Sequence, residues 1–282
     1  MLTASIVLYN TPRRQVDSVL ASIVSSRCVD SLYIIDNSPN DRWRILEREY
    51  EGRLPIRYIH NENLGYGSSH NLAMQEALER GSTYHVVLNP DIRFGPEVLP
   101  LLVAFMDRRP EASYVLPKVV YPDGEVQHLC KLLPTPADLI FRRFLPKSPW
   151  TERMNRRYTL QHSGYDKEMN PPCLSGCFMF LRLSTMTEHD LFFDDGYFMY
   201  CEDFDLIRRL HRVSKTLFYP DVTIIHDHQR ASYRNWRLLI AHIKSAIRYF
   251  NKFGWLFDGE RRQMNKRILA EVDNFSLEKG IR

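Results

Sequence analysis

The segment 83-TYHVVLNPD-91 sets the first expectation about the fold. Its first six residues are mostly apolar, aromatic or β-branched, as in a strand that is buried in a sheet. Pro90 ends the strand because proline has no backbone N–H to donate. Side chains alternate along a strand, so Asn89 and Asp91 are expected to point to the same side at its tip. Such a tip is either a plain turn, since Asn, Pro and Asp are common turn formers, or part of a ligand site.

Strand-like and helix-like segments alternate through the first half of the chain. The other strand-like segments are TASIVLY at 3–9, SLYIID at 31–36 and IRYIH at 56–60. Apolar side chains recur at helical spacing in 13–26, 41–50 and 66–81. This alternation predicts an α/β fold with a twisted, mainly parallel sheet flanked by helices. Ligands of such sheets bind beyond the carboxyl ends of the strands, where this sequence has Asn10, Asp36, Asn61 and Asp91.

Composition limits the classes of protein to which the chain can belong. The 282 residues are 44% hydrophobic and 12% aromatic, which is enough for a sizeable core. The net charge of +4 is too small by itself to indicate nucleic acid, and we expect no such partner. The five cysteines lack regular spacing, which favours reduced thiols, and the lone pair Cys173 and Cys177 is weak evidence for zinc. With no basic signal-peptide start and no apolar stretch of ~20 residues, we expect a soluble protein or one held at a membrane surface.

The chain divides by composition into a main domain and a helical tail. We expect residues 1–231 to form the main domain. Within it, 122–172 is expected to be a loop-rich insertion over the site, because this stretch is rich in proline and basic residues and lacks periodicity. Strand signals return at 176–182 and 216–226. Residues 232–282 have helical spacing and are expected to pack on the domain or on a membrane surface.

Two glycine-rich nucleotide motifs are absent from the sequence. There is no G-x-x-x-x-G-K-[ST], and NLGYGSSHN at 63–71 has Gly65 and Gly67 without the third glycine of the dinucleotide pattern. The first strand leads into YNTPRRQ at 9–15 instead of a glycine-rich loop, which disfavours hydride-transfer enzymes and nucleotide-sugar pyrophosphorylases. The two glycines begin a helix, where they either let the backbone approach an anionic ligand or simply cap the helix.

Carboxylates in two other segments are candidates for binding and catalysis. Asp36 can accept a hydrogen bond from the imide N–H of uracil or thymine, or it can form an Asx turn before the next helix. In FDDGYFMYCEDFDLIRRL at 193–210, Glu202 and Asp203 follow an apolar stretch that would raise a carboxylate pKa towards that of a useful base. Asp205 is better explained by an ion pair with an arginine one helical turn further along.

A pair of histidines lies at the end of the last strand signal. The segment VTIIHDHQRAS at 222–232 contains His226 and His228. A neutral imidazole at a strand end can bind a divalent cation, but a lone histidine there is more often structural. The residues by themselves therefore leave both roles open.

Taken in order, these segments resemble glycosyltransferase family 2, which consists of inverting enzymes with the GT-A fold. The likeness is greatest to bacterial rhamnosyltransferases of O-antigen and related cell-surface polysaccharides. Besides a late histidine, the segments that carry it are SIVLYN (5–10), IIDNSP (34–39), NENLGYGSSHN (61–71), LNPDI (88–92), LSGCFMFLR (174–182), the stretch 193–210 and HIKSAIRYFNK (242–252). The resemblance implies a GT-A-like, Rossmann-like sheet with a C-terminal helical tail.

The resemblance also implies roles for the candidate residues. Asp203 is the expected catalytic base, paired with Glu202. Asp91 and His226 are the expected ligands of a divalent cation, Mg²⁺ or Mn²⁺, and the family's Asp-x-Asp motif reads Asn-Pro-Asp at 89–91. The expected contacts to the nucleotide-sugar donor, with Asp36 reading the base, are Tyr9, Asn10, Asp36, Asn63, Gly65, Asn71, Asn89, Gly176 and Arg230.

The activity implied by the resemblance is the transfer of L-rhamnose from dTDP-L-rhamnose to a polyprenyl-diphosphate-linked glycan. Such an enzyme is expected to work in the cytoplasm, at the inner face of the cell membrane. A UDP-hexose donor is one alternative, because Asp36 accepts equally from uracil and thymine. The other alternative is an inactive binding or scaffold subunit of a polysaccharide assembly complex, against which the presence of Asp203 and His226 argues.

The stretch NWRLLIAHIKSAIRYFNKFGW at 235–255 predicts an amphipathic helix. Its apolar stripe consists of Leu239, Ile240, Ile243, Ile247 and Phe250, and its basic residues are Arg237, Lys244, Arg248 and Lys252. The stripe is either packed in the core or lies against anionic head groups, together with the basic residues and with Arg142, Arg143 and Lys147. From the second interpretation we expect peripheral, salt-sensitive membrane association.

Overall fold

A computed structural model of the protein describes residues 1–141, 148–227 and 236–278. The strands are β1 (Leu2–Leu8), β2 (Ser31–Asp36), β3 (Ile56–His60), β4 (Tyr84–Leu88), β5 (Ile92–Phe94), β6 (Ala112–Val120), β7 (Phe178–Arg182) and β8 (Lys215–His226). The α-helices are α1 (Arg13–Ser26), α2 (Ile45–Glu49), α3 (Tyr66–Glu79), α4 (Val98–Asp107), α5 (Pro149–Tyr158), α6 (Leu183–Glu188), α7 (Glu202–Val213), α8 (Trp236–Phe253) and α9 (Gly259–Glu278).

The strands form one sheet in the order β3-β2-β1-β4-β7-β6-β8-β5. The first four strands run parallel, whereas β7 is antiparallel to both of its neighbours and β5 is antiparallel to β8. Leu8 lies opposite Asp36, so the carboxyl ends of β1 and β2 meet at one edge of the sheet. The predicted mainly parallel, helix-flanked sheet is confirmed. The short strand β5, which follows the carboxyl end of β4, pairs antiparallel with β8.

Two strands were not predicted from the sequence, and both have a physical reason. β5 has only three residues, which is too short for a periodic pattern to be recognised. β6 contains Pro117, which argues against an interior strand because it has no N–H to donate. The strand tolerates the proline through a shift in its pairing with β8 between Pro117 and Lys118.

The interior of the sheet contains a small polar network among apolar side chains. The Ser5 hydroxyl lies 2.7 Å from His70 Nδ1 and 2.7 Å from His85 Nε2, and Thr3 Oγ1 lies 2.8 Å from His85 Nδ1. Burial lowers the pKa of His85 to about 3 and that of His70 well below its usual value, so both rings stay neutral. The network therefore ties β1, β4 and α3 together without a buried charge.

The C-terminal helices pack on α7 through a buried ion pair. The Arg208 guanidinium donates to both oxygens of Asp258 at 2.8 Å and to Glu260 Oε2 at 2.6 Å. Lys252 reaches the buried Asp205 carboxylate at 2.7 Å. Tyr249 and Phe250 of α8 are buried in the same interface. Within the described ranges, none of the helices combines the length and apolarity needed to cross a bilayer.

We predict that Arg208→Ala lowers the free energy of unfolding by about 3–5 kcal/mol, because it leaves the buried Asp258 carboxylate without its partner. Urea unfolding measured by circular dichroism checks this value. The matched control is Arg13→Ala, which removes exposed ion pairs to Asp17 and Glu49 and should cost less than about 1 kcal/mol. Equal losses in the two variants would contradict the prediction.

Candidate active site

The tip of β4 and the start of β7 are joined by one tyrosine. The Tyr66 hydroxyl donates towards Asn89 Oδ1 at 3.0 Å and towards the Gly176 carbonyl at 2.9 Å, sharing its proton between them. The Asn89 N–H donates to the Cys177 carbonyl at 2.9 Å. Burial raises the pKa of Tyr66 well above its usual value, so the hydroxyl remains a donor. The Asn-Pro-Asp tip is thus held in place by its neighbours.

The glycine that begins α3 allows a close contact within the chain. Gly65 has φ +107°, and a Cβ there would lie 2.3 Å from the Phe198 carbonyl oxygen. The same oxygen accepts a hydrogen bond of 3.0 Å from the Tyr66 N–H. Glycine is required at this position both for its backbone conformation and for the approach of residue 198.

Asn71 holds the same segment one turn further along α3. Its amide donates to the Phe193 carbonyl at 2.8 Å and to Asp195 Oδ1 at 3.0 Å, and its oxygen accepts from the Phe193 N–H. Both amide hydrogens are therefore used inside the protein. The predicted contact of Asn71 with a donor stays a prediction, and what the structure provides is a fixed position for the segment 193–201.

This segment delivers the acid pair to the site. Tyr200 and Cys201 both have left-handed backbone conformations, with φ of 69° and 64°, and α7 begins at the next residue. Such conformations are unfavourable for residues other than glycine and persist only where the surroundings impose them. The turn they make places Glu202 and Asp203 at the N-terminus of α7, facing the start of β7.

Asp203 is held by two backbone donors. The Gly176 N–H donates to Oδ2 at 3.0 Å and the Phe204 N–H donates to Oδ1 at 2.9 Å. A Cβ at position 176 would lie 2.9 Å from the Asp203 Cβ, so the approach depends on glycine. Burial raises the pKa of Asp203, while Lys131 and the two N–H donors act in the opposite direction. As a whole residue Asp203 is half-buried.

Glu202 lies deeper than its neighbour. Its side chain is buried, and Oε2 has no hydrogen-bond partner among the described residues. Burial and the charge of Asp203 raise the pKa of Glu202 to about 8. Burial and the neighbouring charge thus favour the protonated form of Glu202, and Asp203 is the less buried residue of the pair.

Asp91 and His226 come together through the pairing of β5 with β8. Ile92 lies opposite His226 in this ladder, and the Asp227 N–H donates to the Asp91 carbonyl at 3.0 Å. His226 Nε2 lies 3.4 Å from Asp91 Oδ1, and its Nδ1 lies 2.9 Å from Gln127 Oε1. Burial lowers the pKa of His226, but Cys177 and Asp91 more than offset this and raise it to about 10.

The donor set of this pair fits a divalent cation. A carboxylate oxygen and an imidazole nitrogen that has released its proton are ligands that Mn²⁺ and Mg²⁺ accept, and Mg²⁺ in particular completes its coordination with substrate phosphates and water. Among the described residues, no group of three or more His, Cys, Asp and Glu side chains is arranged to hold a metal. A cation bound by Asp91 and His226 would thus need further ligands from the substrate.

Asp36 lies at the end of β2 and is fully buried. The Ser38 N–H donates to its Oδ1 at 3.0 Å, and the Tyr58 hydroxyl donates to its Oδ2 at 2.8 Å. The Asx turn considered from the sequence is therefore present, and the reading of a pyrimidine base by Asp36 stays a prediction.

The remaining predicted donor contacts lie around the same edge of the sheet or outside the described residues. Tyr9, Asn10 and Asn63 are exposed there, and the Asn10 N–H donates to Ser38 Oγ at 2.9 Å. Arg230 and His228 lie outside the described residues.

Two residues near the acid pair were missed from the sequence. Tyr66 lies within NLGYGSSHN, but this motif does not show that its hydroxyl contacts both Asn89 after β4 and the Gly176 carbonyl. Lys131 lies in the aperiodic segment, and only its backbone pairing with Cys173 brings it near Asp203. Neither residue belongs to a pattern from which its position could have been predicted.

Residues 4–185 match Glycosyl transferase family 2, and the chain belongs to this family. It is 29% identical over 198 residues to an N-acetylglucosaminyl-diphospho-decaprenol L-rhamnosyltransferase of Mycobacterium tuberculosis, an alignment that covers 65% of this chain and 62% of the relative. The chain thus spans less than two thirds of that relative's length. It is 26% identical over 234 residues to the rhamnosyltransferase WbbL of Escherichia coli K12, covering 76% of this chain and 84% of WbbL.

Solved structures with a similar fold include two that contain nucleotides. TarS residues 1–349 of S. aureus in complex with UDP-GlcNAc has a TM-score of 0.60 at 15% identity, covering 98% of this chain and 72% of that one. GalNAc-T7 with UDP, GalNAc and Mn²⁺ has a TM-score of 0.63 at 13% identity, covering 98% and 54%. These likenesses confirm the GT-A-like fold.

We predict that Glu202→Gln changes how stability depends on pH. The pKa of Glu202 rises from the ordinary value of 4.5 to about 8 on folding, so the folded state binds its proton more tightly than the unfolded state. This contribution is fully present below pH 4.5 and is lost as the pH rises towards 8. The variant should therefore gain stability relative to the wild type between pH 5.5 and pH 8.5. Urea unfolding at both pH values checks this, with the exposed Glu79→Gln as control, and parallel pH profiles for wild type and Glu202→Gln would contradict it.

Proposed function

We propose that the protein is an inverting glycosyltransferase that moves a sugar from a nucleotide diphosphate to a lipid-linked glycan. The donor that we propose is dTDP-L-rhamnose, and the pathway is the synthesis of O-antigen or a related polysaccharide. The observation that carries the proposal is the position of Asp203 at the N-terminus of α7, where two backbone N–H groups hold its carboxylate beside the buried Glu202. Both relatives, from M. tuberculosis and E. coli, are rhamnosyltransferases by name, which supports the sugar, and the name of the M. tuberculosis relative supports the lipid diphosphate.

A continuous set of contacts links the proposed base to the proposed cation ligands. Asp203 accepts from Gly176, whose carbonyl accepts from Tyr66, and Tyr66 also donates to Asn89. Asp91 follows Asn89 by two residues at the same strand tip. The groups that would act on the acceptor and on the diphosphate are therefore fixed relative to each other, which is the requirement for a single displacement.

In the proposed reaction, Asp203 takes the proton of an acceptor hydroxyl as that oxygen forms a bond to the anomeric carbon. The bond from this carbon to the diphosphate oxygen breaks on the opposite face, and the configuration is inverted. Asp91 and His226 would hold a divalent cation, which as a Lewis acid neutralises charge on the departing diphosphate. Glu202, protonated and buried, limits the negative charge beside the base and needs no contact with substrate.

We also propose that the protein works at the inner face of the cell membrane, where a lipid-linked acceptor is found. The α8 stripe proposed for this contact is divided in the structure: Phe250 is buried against α7, whereas Ile240 and Ile247 are 41% and 40% exposed. Arg248 and Lys252 pair with Asp194. Arg142, Arg143 and Lys147 lie outside the described residues.

Asp203→Asn should lower the turnover number by roughly 10²–10⁴-fold, because an amide cannot accept the acceptor's proton. Donor affinity should stay unchanged, since the base acts on the acceptor. Transfer from dTDP-L-rhamnose, measured at saturating donor, checks the rate, and calorimetry checks the affinity. Asp221→Asn, an exposed aspartate on β8, is the matched control. A variant with more than half of the wild-type turnover would remove Asp203 from this role.

Asp91→Ala should abolish the part of the donor affinity that depends on Mn²⁺ or Mg²⁺, because it removes the carboxylate at the strand tip. Asn89→Asp should strengthen that part by adding a second carboxylate. Thermal shift with dTDP-L-rhamnose and a set of UDP-sugars, with and without cation, checks both variants and identifies the donor. If Asp91→Ala responds to cation like the wild type, the segment LNPD is only a turn.

A further inference from the structure

The connection between α8 and α9 exposes three consecutive large apolar side chains. Trp255, Leu256 and Phe257 are 39%, 70% and 89% exposed. Single exposed apolar residues are ordinary on protein surfaces, but a contiguous group at the tip of a helical hairpin marks an interaction site. We refer to residues 254–257 as the apolar turn.

The protein backbone holds the apolar turn in one conformation. Gly254 has φ +104° and its N–H donates to the Phe250 carbonyl at 2.8 Å, so it ends α8 in a conformation that favours glycine. The Trp255 ring lies 5.2 Å from the Phe250 ring, and its indole N–H donates to Asn251 at 2.8 Å. On the other side, Asp258 is clamped by Arg208. Leu256 and Phe257 are thus exposed between two ends of the turn that are held by contacts within the protein.

The apolar turn continues an exposed stripe along α8. Ile240 and Ile247 are partly exposed and lie seven residues apart, on the same side of the helix. Asn251 lies four residues after Ile247 on the same side of α8 and accepts the Trp255 indole N–H, which brings the apolar turn to the end of this side. The exposed stripe adjoins the face that is buried against α7, so the helix can pack on the domain and still offer apolar surface.

Basic residues without ion pairs lie on the two helices that the apolar turn joins. Lys244 lies on α8 beside the stripe, and Arg262 and Lys266 follow the turn on α9; none of the three pairs with a carboxylate among the described residues. A cavity of about 630 Å³ along α9 is lined by Arg157, Arg262 and Lys266, together with Asp273 and with Arg261, which pairs with Asp258. Apolar side chains at the tip of a hairpin whose helices carry unpaired cations match a bilayer surface that carries anionic phosphates.

We infer that the apolar turn inserts into the head-group region of an anionic membrane and docks the protein there, with Lys244, Arg262 and Lys266 contacting lipid phosphates. The inference rests on the proposed function for its membrane. Arg208 connects the turn to α7, whose first residues are the acid pair. A rise of about 1.5 Å per residue places Asp203 only ~8 Å along the helix from Arg208. Docking would thus hold the candidate site close to the bilayer surface.

Vesicle sedimentation of the full chain tests the inference. The wild type should bind vesicles of phosphatidylcholine and bind more tightly when phosphatidylglycerol is added. The double variant Leu256→Ser/Phe257→Ser should have a partition coefficient at least about tenfold lower for both kinds of vesicle, because it lacks the inserted apolar surface. The double variant Lys244→Gln/Arg262→Gln should lose only the gain from phosphatidylglycerol, as should the wild type at high salt.

Two controls separate membrane insertion from other effects. Leu101→Ser changes a leucine on α4 that is 44% exposed, and it should bind vesicles like the wild type, as should Phe257→Trp. The serine double variant should also keep wild-type transfer to a water-soluble acceptor that lacks the lipid chain. If neither the wild type nor any variant transfers sugar, but vesicle binding still depends on residues 256 and 257, the proposed function fails and the docking inference stands.

Two results would overturn the inference. One is equal vesicle binding by the wild type and the serine double variant, or no binding by either. The other is a wild-type dimer in sedimentation velocity that the serine double variant lacks, without vesicle binding, since the apolar turn would then be an interface between two copies of the chain.

Discussion

The contact between the start of α3 and the segment 193–201 holds the candidate active site together. Gly65 lacks a Cβ, so the Phe198 carbonyl can accept from the Tyr66 N–H, and Asn71 fixes the same segment through its amide. This segment leads directly into α7. Its position therefore decides where the acid pair lies relative to the strand tips, and the left-handed residues Tyr200 and Cys201 are the local consequence of that constraint.

Within this frame, burial and hydrogen bonding act in opposite directions on two adjacent carboxylates. Glu202 lies deep and has an oxygen without a described partner, so burial dominates and its pKa rises to about 8. Asp203 lies closer to the surface and accepts from two N–H groups, with Lys131 nearby, which limits the rise in its pKa. One sequence motif thus places two carboxyl groups in different surroundings, which is the arrangement that the proposed general base beside a neutral neighbour requires.

The C-terminal helices are connected to the helix that carries the acid pair. Arg208 lies on the same helix as Asp203 and forms the buried pair with Asp258, the residue directly after the apolar turn. Separating one partner of a buried ion pair from the other is costly, so the pair opposes other arrangements of the helices that carry it. The tail is therefore held in a defined orientation on α7, and any surface to which the turn binds is held in a defined orientation to the site.

The sequence by itself determined the α/β class, the first four strands and the two long helices between them, because these follow from the spacing of apolar residues. It also determined the family and the candidates Asp91, Glu202, Asp203 and His226, because their motifs occur in a specific order. The tertiary structure alone decided which of these residues meet. The pairing of β5 with β8 joins Asp91 to His226 across 135 positions of the chain, and a three-residue strand leaves no periodic signal. Tyr66 and Lys131 reach the site through contacts between distant segments, and the burial that separates the pKa values of Glu202 and Asp203 is a property of the packed fold, not of their neighbours in sequence.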